Sequence, residues 1–134
     1  MIFLTEEGQT VTGDVIIVED DPMMQSILAD LFKELGAESS LFVTADDALI
    51  ALLGGSAPPS MIITDFTLPG QLNGLELAQM TYQQWPNVPV ILTSGYGPEV
   101  AQGLPPTTLF IQKPWSVAQM VEAVLSFDDY RSLG

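Results

Sequence analysis

Short continuous runs of apolar residues alternate along this chain with longer stretches in which apolar residues recur every three or four positions. Val15-Ile16-Ile17-Val18 is unbroken, and 15–19 reads as a strand buried on both faces. Asp21-Pro22 then offers an acidic cap with proline at the first helical position. Met24, Ile27, Leu28, Leu31, Phe32 and Leu35 follow at helical spacing until Gly36 stops them. The pattern continues with a strand at 40–43, a helix opened by Thr44-Ala45-Asp46-Asp47-Ala48-Leu49 and closed by Gly54-Gly55, and an apolar strand at 61–65. A third helix starts at Asn73-Gly74, carries Leu75, Leu77, Ala78 and Met80, and ends before Pro86. Strand 88–93 has Pro89 near its start, a tolerated place for a residue without an N–H. A very short helix is expected between Pro98 and Gln102, then a strand at 109–112, then a helix capped by Ser116 and carrying Val117, Met120, Val121, Val124 and Leu125. Five strands alternating with helices predict an α/β fold, a single doubly wound parallel sheet covered on both faces. Right-handed crossovers leave few topologies for it. Residues 1–13 read as a polar leader, 14–127 as the one domain and 128–134 as a tail.

The strand ends carry the chemistry. In a parallel sheet, ligands bind outside the carboxyl ends of the strands. Glu19-Asp20-Asp21 ends the first run, Asp65 the third and Lys113 the fifth. Three carboxylates and one ammonium at one edge make a site for a divalent cation plus a phosphoryl group. A hard cation such as Mg²⁺ prefers oxygen ligands and keeps several waters, so few carboxylates suffice. Asp20, Asp21 and Asp65 are the candidate ligands, joined by the backbone carbonyl of Thr67. Close carboxylates without a cation repel, which raises at least one pKa. Thr93 or Ser94, ending the fourth strand, offers a hydroxyl to a phosphoryl oxygen. Pro114, if cis, would point Lys113 inward.

Composition removes several alternatives. The chain has 134 residues, 47% of them hydrophobic, which is ordinary for one folded domain. It has no cysteine and no histidine, so disulfides, thiolate sites and zinc chemistry of the usual kind are excluded. Seventeen acidic residues against three basic ones give a net charge of −14, which opposes nucleic acids and anionic membrane surfaces. It also makes Lys113, one of only three basic residues, a functional countercharge rather than a solvated surface lysine. No apolar run reaches the length of a membrane span, and the N-terminus lacks the pattern of a signal peptide, so a cytoplasmic location is expected.

Four segments taken together, Val18-Glu19-Asp20-Asp21-Pro22, Thr64-Asp65-Phe66-Thr67-Leu68-Pro69-Gly70 with Asn73-Gly74, Leu92-Thr93-Ser94-Gly95-Tyr96 and Gln112-Lys113-Pro114-Trp115, resemble the receiver domain of bacterial two-component response regulators. Each is weak alone; the ordered set is specific. The resemblance implies a flavodoxin-like, CheY-like fold with strand order 2-1-3-4-5. It implies that Asp65 is a phosphoacceptor, taking the phosphoryl group of a phosphohistidine on a histidine kinase or histidine phosphotransfer domain. That makes the chain a catalyst of its own phosphorylation and dephosphorylation rather than a conventional turnover enzyme. It further implies that Asp20 and Asp21 bind Mg²⁺ (or Mn²⁺), that Lys113 pairs with the phosphoryl oxygens, that Ser94 is the switch hydroxyl and that Phe110 is the aromatic that follows it. Thr67 and Tyr96 match positions flanking the phosphoryl group, and the bulk of Tyr96 implies slow hydrolysis. A weak homodimer is compatible with the family, whose usual output face includes the fourth helix.

Two departures stand out. The loop between Asp65 and Gly74 is one residue longer than usual, and the stretch from Gly95 to Thr108 is too short for a full fourth helix. The latter resembles receivers attached to sensor histidine kinases and some single-domain regulators, and the tail leaves no room for a DNA-binding output domain. Three other readings compete. A non-phosphorylated adaptor is disfavoured by intact Asp65 and Lys113. A small Mg²⁺-dependent aspartyl phosphatase would usually have an acid where this chain has Thr67. A flavodoxin-like electron carrier would need a phosphate-cradling loop where this chain has Asp20-Asp21-Pro22.

Overall fold

A computed structural model describes residues 13–55 and 57–133, with side chains to residue 127. The leader read over 1–13 thus lies outside the described residues except for Gly13. Five strands, β1 Asp14–Val18, β2 Glu38–Phe42, β3 Met61–Asp65, β4 Val90–Ser94 and β5 Thr108–Gln112, alternate with helices α1 Pro22–Glu34, α2 Ala45–Gly54, α3 Gly74–Gln84 and α4 Val117–Leu133. A single 3₁₀ turn, Pro98–Ala101, stands between β4 and β5. All strands pair in parallel, in the order β2-β1-β3-β4-β5. This is the doubly wound, flavodoxin-like sheet expected of the sequence.

The continuous apolar runs have a simple cause. Because helices cover both faces, successive residues of one strand enter different cores. Val15, Ile17, Met61, Ile63 and Ile91 pack with Leu28, Leu31 and Phe32 of α1 and Met120 and Val124 of α4. Ile16, Val18, Ile62 and Val90 pack with Ala48 and Leu52 of α2 and Leu77 and Ala78 of α3. The central strands β3 and β4 are buried throughout, while the edge strand β2 exposes half its residues or more. Burial of these Leu and Ile side chains, about 1.5–3 kcal/mol each, is what holds the carboxyl ends of β1, β3, β4 and β5 in register.

Three boundaries differ from the sequence reading by more than one residue, while β1 and β5 each start one residue earlier, at Asp14 and Thr108. β2 starts earlier, at Glu38, in a polar stretch that an edge strand tolerates. β4 starts after Pro89 rather than at Val88: the proline lacks an N–H, and its carbonyl accepts from the Ile62 N–H at 3.0 Å. α4 runs on to Leu133, through the stretch read as a tail. Ser116 does cap that helix, its Oγ accepting from the Gln119 N–H at 3.0 Å.

Candidate functional site

The site forms where β1, β3 and β5 end. β3 lies between β1 and β4, so the residue closing it, Asp65, sits in the middle of the edge and is largely buried. Lys113 follows β5, and its Nζ donates to Asp65 Oδ2 at 3.0 Å. It also stands 3.6 Å from Glu19 Oε1. The backbone N–H of Lys113 donates to the Ser94 carbonyl at 2.7 Å, fixing the root of the lysine to the end of β4. The Lys113–Pro114 peptide is cis.

The acidic group is shifted from the sequence reading. One carboxylate oxygen from each of Glu19, Asp20 and Asp65 lies within 4.8 Å of the others. Asp21 is outside this trio. Its carboxylate is the N-cap of α1, accepting from the Met23 N–H at 3.0 Å, while its own N–H donates to Glu19 Oε2 at 3.1 Å. Its Oδ1 is thus engaged in satisfying an orphan amide of the helix start. The sequence signal was present: β1 ends at Val18, so Glu19 is the first residue past the strand, and an aspartate directly before an N1 proline is a cap.

Electrostatics follow from this crowding. Burial raises the pKa of the Glu19 carboxyl; the Asp65 charge raises it further, against the Asp21 N–H and Lys113, which lower it. For Lys113, burial pulls the ammonium down, but the hydrogen bond and charge of Asp65, with Glu19 adding, outweigh it and the net shift is upward. The pair at rest is therefore a charged lysine held between two acids. Hard carboxylate oxygens converging on one point are a donor set that fits a divalent cation of the Mg²⁺ type and no soft metal.

The remaining candidates lie on β4, on β5 and in the loops after β3 and β4. Ser94 is buried, and its Oγ accepts from the Tyr96 N–H at 2.9 Å. Thr93 is buried as well and spends its carbonyl on the Phe66 N–H at 2.8 Å. Thr67 is exposed, two residues beyond Asp65. Phe110 is half-buried on β5, in register with Leu92. Tyr96 is 58% exposed and packs edge-on against Phe66, ring centroids 6.5 Å apart and planes at 79°. The Phe66 contact was not anticipated, and neither was a constraint at Gly74. A Cβ there would clash with the Asp65 carbonyl oxygen and approach Leu92 Cδ1 to 2.9 Å. Only glycine lets α3 start so close beneath the central acid.

An open doubly wound sheet with an acidic trio and one ammonium at its carboxyl edge defines a class of phosphoryl-handling α/β proteins. Comparison with known proteins narrows it. Residues 15–125 match the response regulator receiver domain, and the chain belongs to that family. It is a phosphoacceptor signalling domain, and its acidic trio suits phosphoryl transfer to and from itself rather than turnover of a separate substrate. It is 31% identical over 112 residues to the nitrogen assimilation regulatory protein NtrX of Azorhizobium caulinodans, covering 81% of this chain and 24% of that protein. It is 36% identical over 80 residues to the Regulator of RpoS of Escherichia coli, covering 60% of this chain and 23% of that one. The chain thus spans about a quarter of the length of these curated relatives. Among solved structures, NtrX from Brucella abortus superposes with a TM-score of 0.77 at 26% identity, covering 90% of this chain and 28% of that one. A response regulator receiver protein from Sinorhizobium medicae gives 0.77 at 20% identity, covering 85% and 92%, a likeness of fold. No helix among the described residues is long and apolar enough to cross a membrane.

Proposed function

We propose that Asp65 is the phosphoacceptor and that its donor is a phosphohistidine on a histidine kinase or histidine phosphotransfer domain. An Asp65 oxygen attacks phosphorus, the phosphorus–nitrogen bond breaks, and the imidazole leaves with a proton taken up at the departing nitrogen. Glu19, Asp20 and Asp65, with the backbone carbonyl of Thr67, would hold Mg²⁺. Bound there, the ion supplies positive charge against the oxygens of the transferring group. Lys113 pairs with Asp65 at rest and turns to the phosphoryl oxygens afterwards, a role that suits a compact ammonium.

Ser94 is the switch hydroxyl in this reading. Its turn toward the phosphoryl group would release the Tyr96 N–H and let Phe110 follow, biasing the face at the β4–β5 end between two populations. The cytoplasm is the compartment in which such a partner and Mg²⁺ meet the chain. The single observation that carries the reading is the 3.0 Å pairing of Lys113 with Asp65 inside the acidic trio.

Incubation with acetyl phosphate and Mg²⁺ tests it. Intact-mass measurement should show one added phosphoryl group on the native chain and none on Asp65→Asn. A native chain that stays unlabelled by acetyl phosphate and by any phosphorylated kinase would make it an adaptor.

A further inference from the structure

The loop 66–73 joins Asp65 to α3 and carries Thr67. Its ends are fixed by β4 and by the start of α3: the Phe66 N–H donates to Thr93, the Gly74 N–H to the Phe66 carbonyl at 2.9 Å, and Asn73 and Glu76 form a reciprocal capping box. Its middle is tied to a different element. Asp46, in the first turn of α2, accepts at Oδ1 from the N–H groups of Gln71 and Leu72, both at 3.1 Å, and at Oδ2 from Gln71 at 3.3 Å. Gly70, at φ 97°, turns the chain so that these successive amides face one point, and a Cβ there would come within 2.7 Å of Asp46 Oδ1. Consecutive amides arranged in this way make an anion-binding concavity. Here the chain fills it with its own carboxylate, in charge-assisted hydrogen bonds.

We propose that Asp46 is a positioning residue for the cation pocket. By fixing the amides of Gln71 and Leu72 it sets the path of the loop back to Asp65, and with it where the Thr67 carbonyl stands. It reaches the pocket through the loop and touches neither the cation nor the phosphoryl group. The inference rests on the assignment of the Thr67 carbonyl and the acidic trio as ligands. Leu68 and Leu72 pack partly into the core under α2 and α3, so the loop stays attached when the carboxylate is removed. What is lost is its fixed path.

The test is the Mg²⁺ dissociation constant by titration calorimetry for the native chain, Asp46→Ala and Asp46→Asn, with thermal unfolding recorded in the absence of metal. Asp46→Ala should weaken Mg²⁺ binding about tenfold, as loss of an outer-shell support does elsewhere. Asp46→Asn keeps an oxygen that can accept both amides and should stay within about threefold of native. An unchanged constant in Asp46→Ala would overturn the proposal, and so would Asp46→Asn as weak as Asp46→Ala. Phosphoryl uptake by the native chain is scored separately. A chain that takes none yet shows the expected Mg²⁺ series keeps the clamp and loses the phosphoacceptor reading. A chain that is labelled while Asp46→Ala binds Mg²⁺ normally keeps that reading and loses the clamp.

Discussion

Two connections leave the same edge of the sheet and are built in opposite ways. The one after Asp65 is pinned from outside itself: to β4 through Thr93, to α2 through Asp46, and to the Asp65 carbonyl through the bare Cα of Gly74. The one after Ser94 closes mostly on itself. Tyr96 donates to the Ser94 hydroxyl, Gly97 to Glu99 at 3.2 Å and Val100 to Gly97 at 3.3 Å, with Gln79 reaching Gly103 from α3. Its 3₁₀ turn buries no residue. Bonds within a segment travel with it when it shifts, whereas bonds to neighbouring elements must break. The side that carries the acidic trio is therefore held by its neighbours, and the side that carries Ser94 can shift with most of its own bonds intact.

The sharpest way to break this comparison is Gly74→Ala. The obstacle is a backbone oxygen at the end of a central strand, so overpacking should cost about 3 kcal/mol, read as a lowered urea midpoint. A loss of stability below a third of that would mean α3 can retreat from Asp65, and the pinned side is not pinned. Glu19→Gln sharpens the electrostatic half. The Glu19 pKa is raised in the fold, so between the ordinary and the raised value the folded state binds more protons than the unfolded one, and the stability tied to this group falls as pH rises. In chelator at pH 8 the Gln variant should melt above the native chain. The gap should close as pH drops below the glutamate range, and Mg²⁺ should raise the variant's midpoint less than the native one. A gap independent of pH would assign the effect to packing. The smallest effect is expected from Tyr96→Ala: no measurable change in melting, given an exposed ring, but a few-fold shorter lifetime of phosphorylated Asp65. An equal or longer lifetime would show that Tyr96 does not restrict water.

Most of the frame was legible because a buried parallel strand must be apolar on both sides and must stop at its first charge. That rule brought Asp65 and Lys113 to one edge of the sheet, where the structure pairs them at 3.0 Å. It left a choice at the first strand, where three acids stand in a row: Glu19 and Asp20 converge with Asp65, while Asp21, before a proline, caps α1. The Asp46 tie was not legible. A carboxylate meeting amides in a loop some twenty-five residues later has no local pattern, since it depends on how α2 and α3 lie side by side. The extent of α4 was missed for another reason: its last turns carry polar residues that read as a tail.

The amide of Lys113 is bonded to the carbonyl of Ser94. Amine and hydroxyl therefore hang from one ladder rung, and a main-chain displacement of either drags the other. On the proposed reading, the hydroxyl can turn toward a phosphoryl group by rotation about the Ser94 Cα–Cβ bond, which leaves this rung intact. The rung would then act as an axle, and the first step that reading requires is a single torsion rather than a backbone shift.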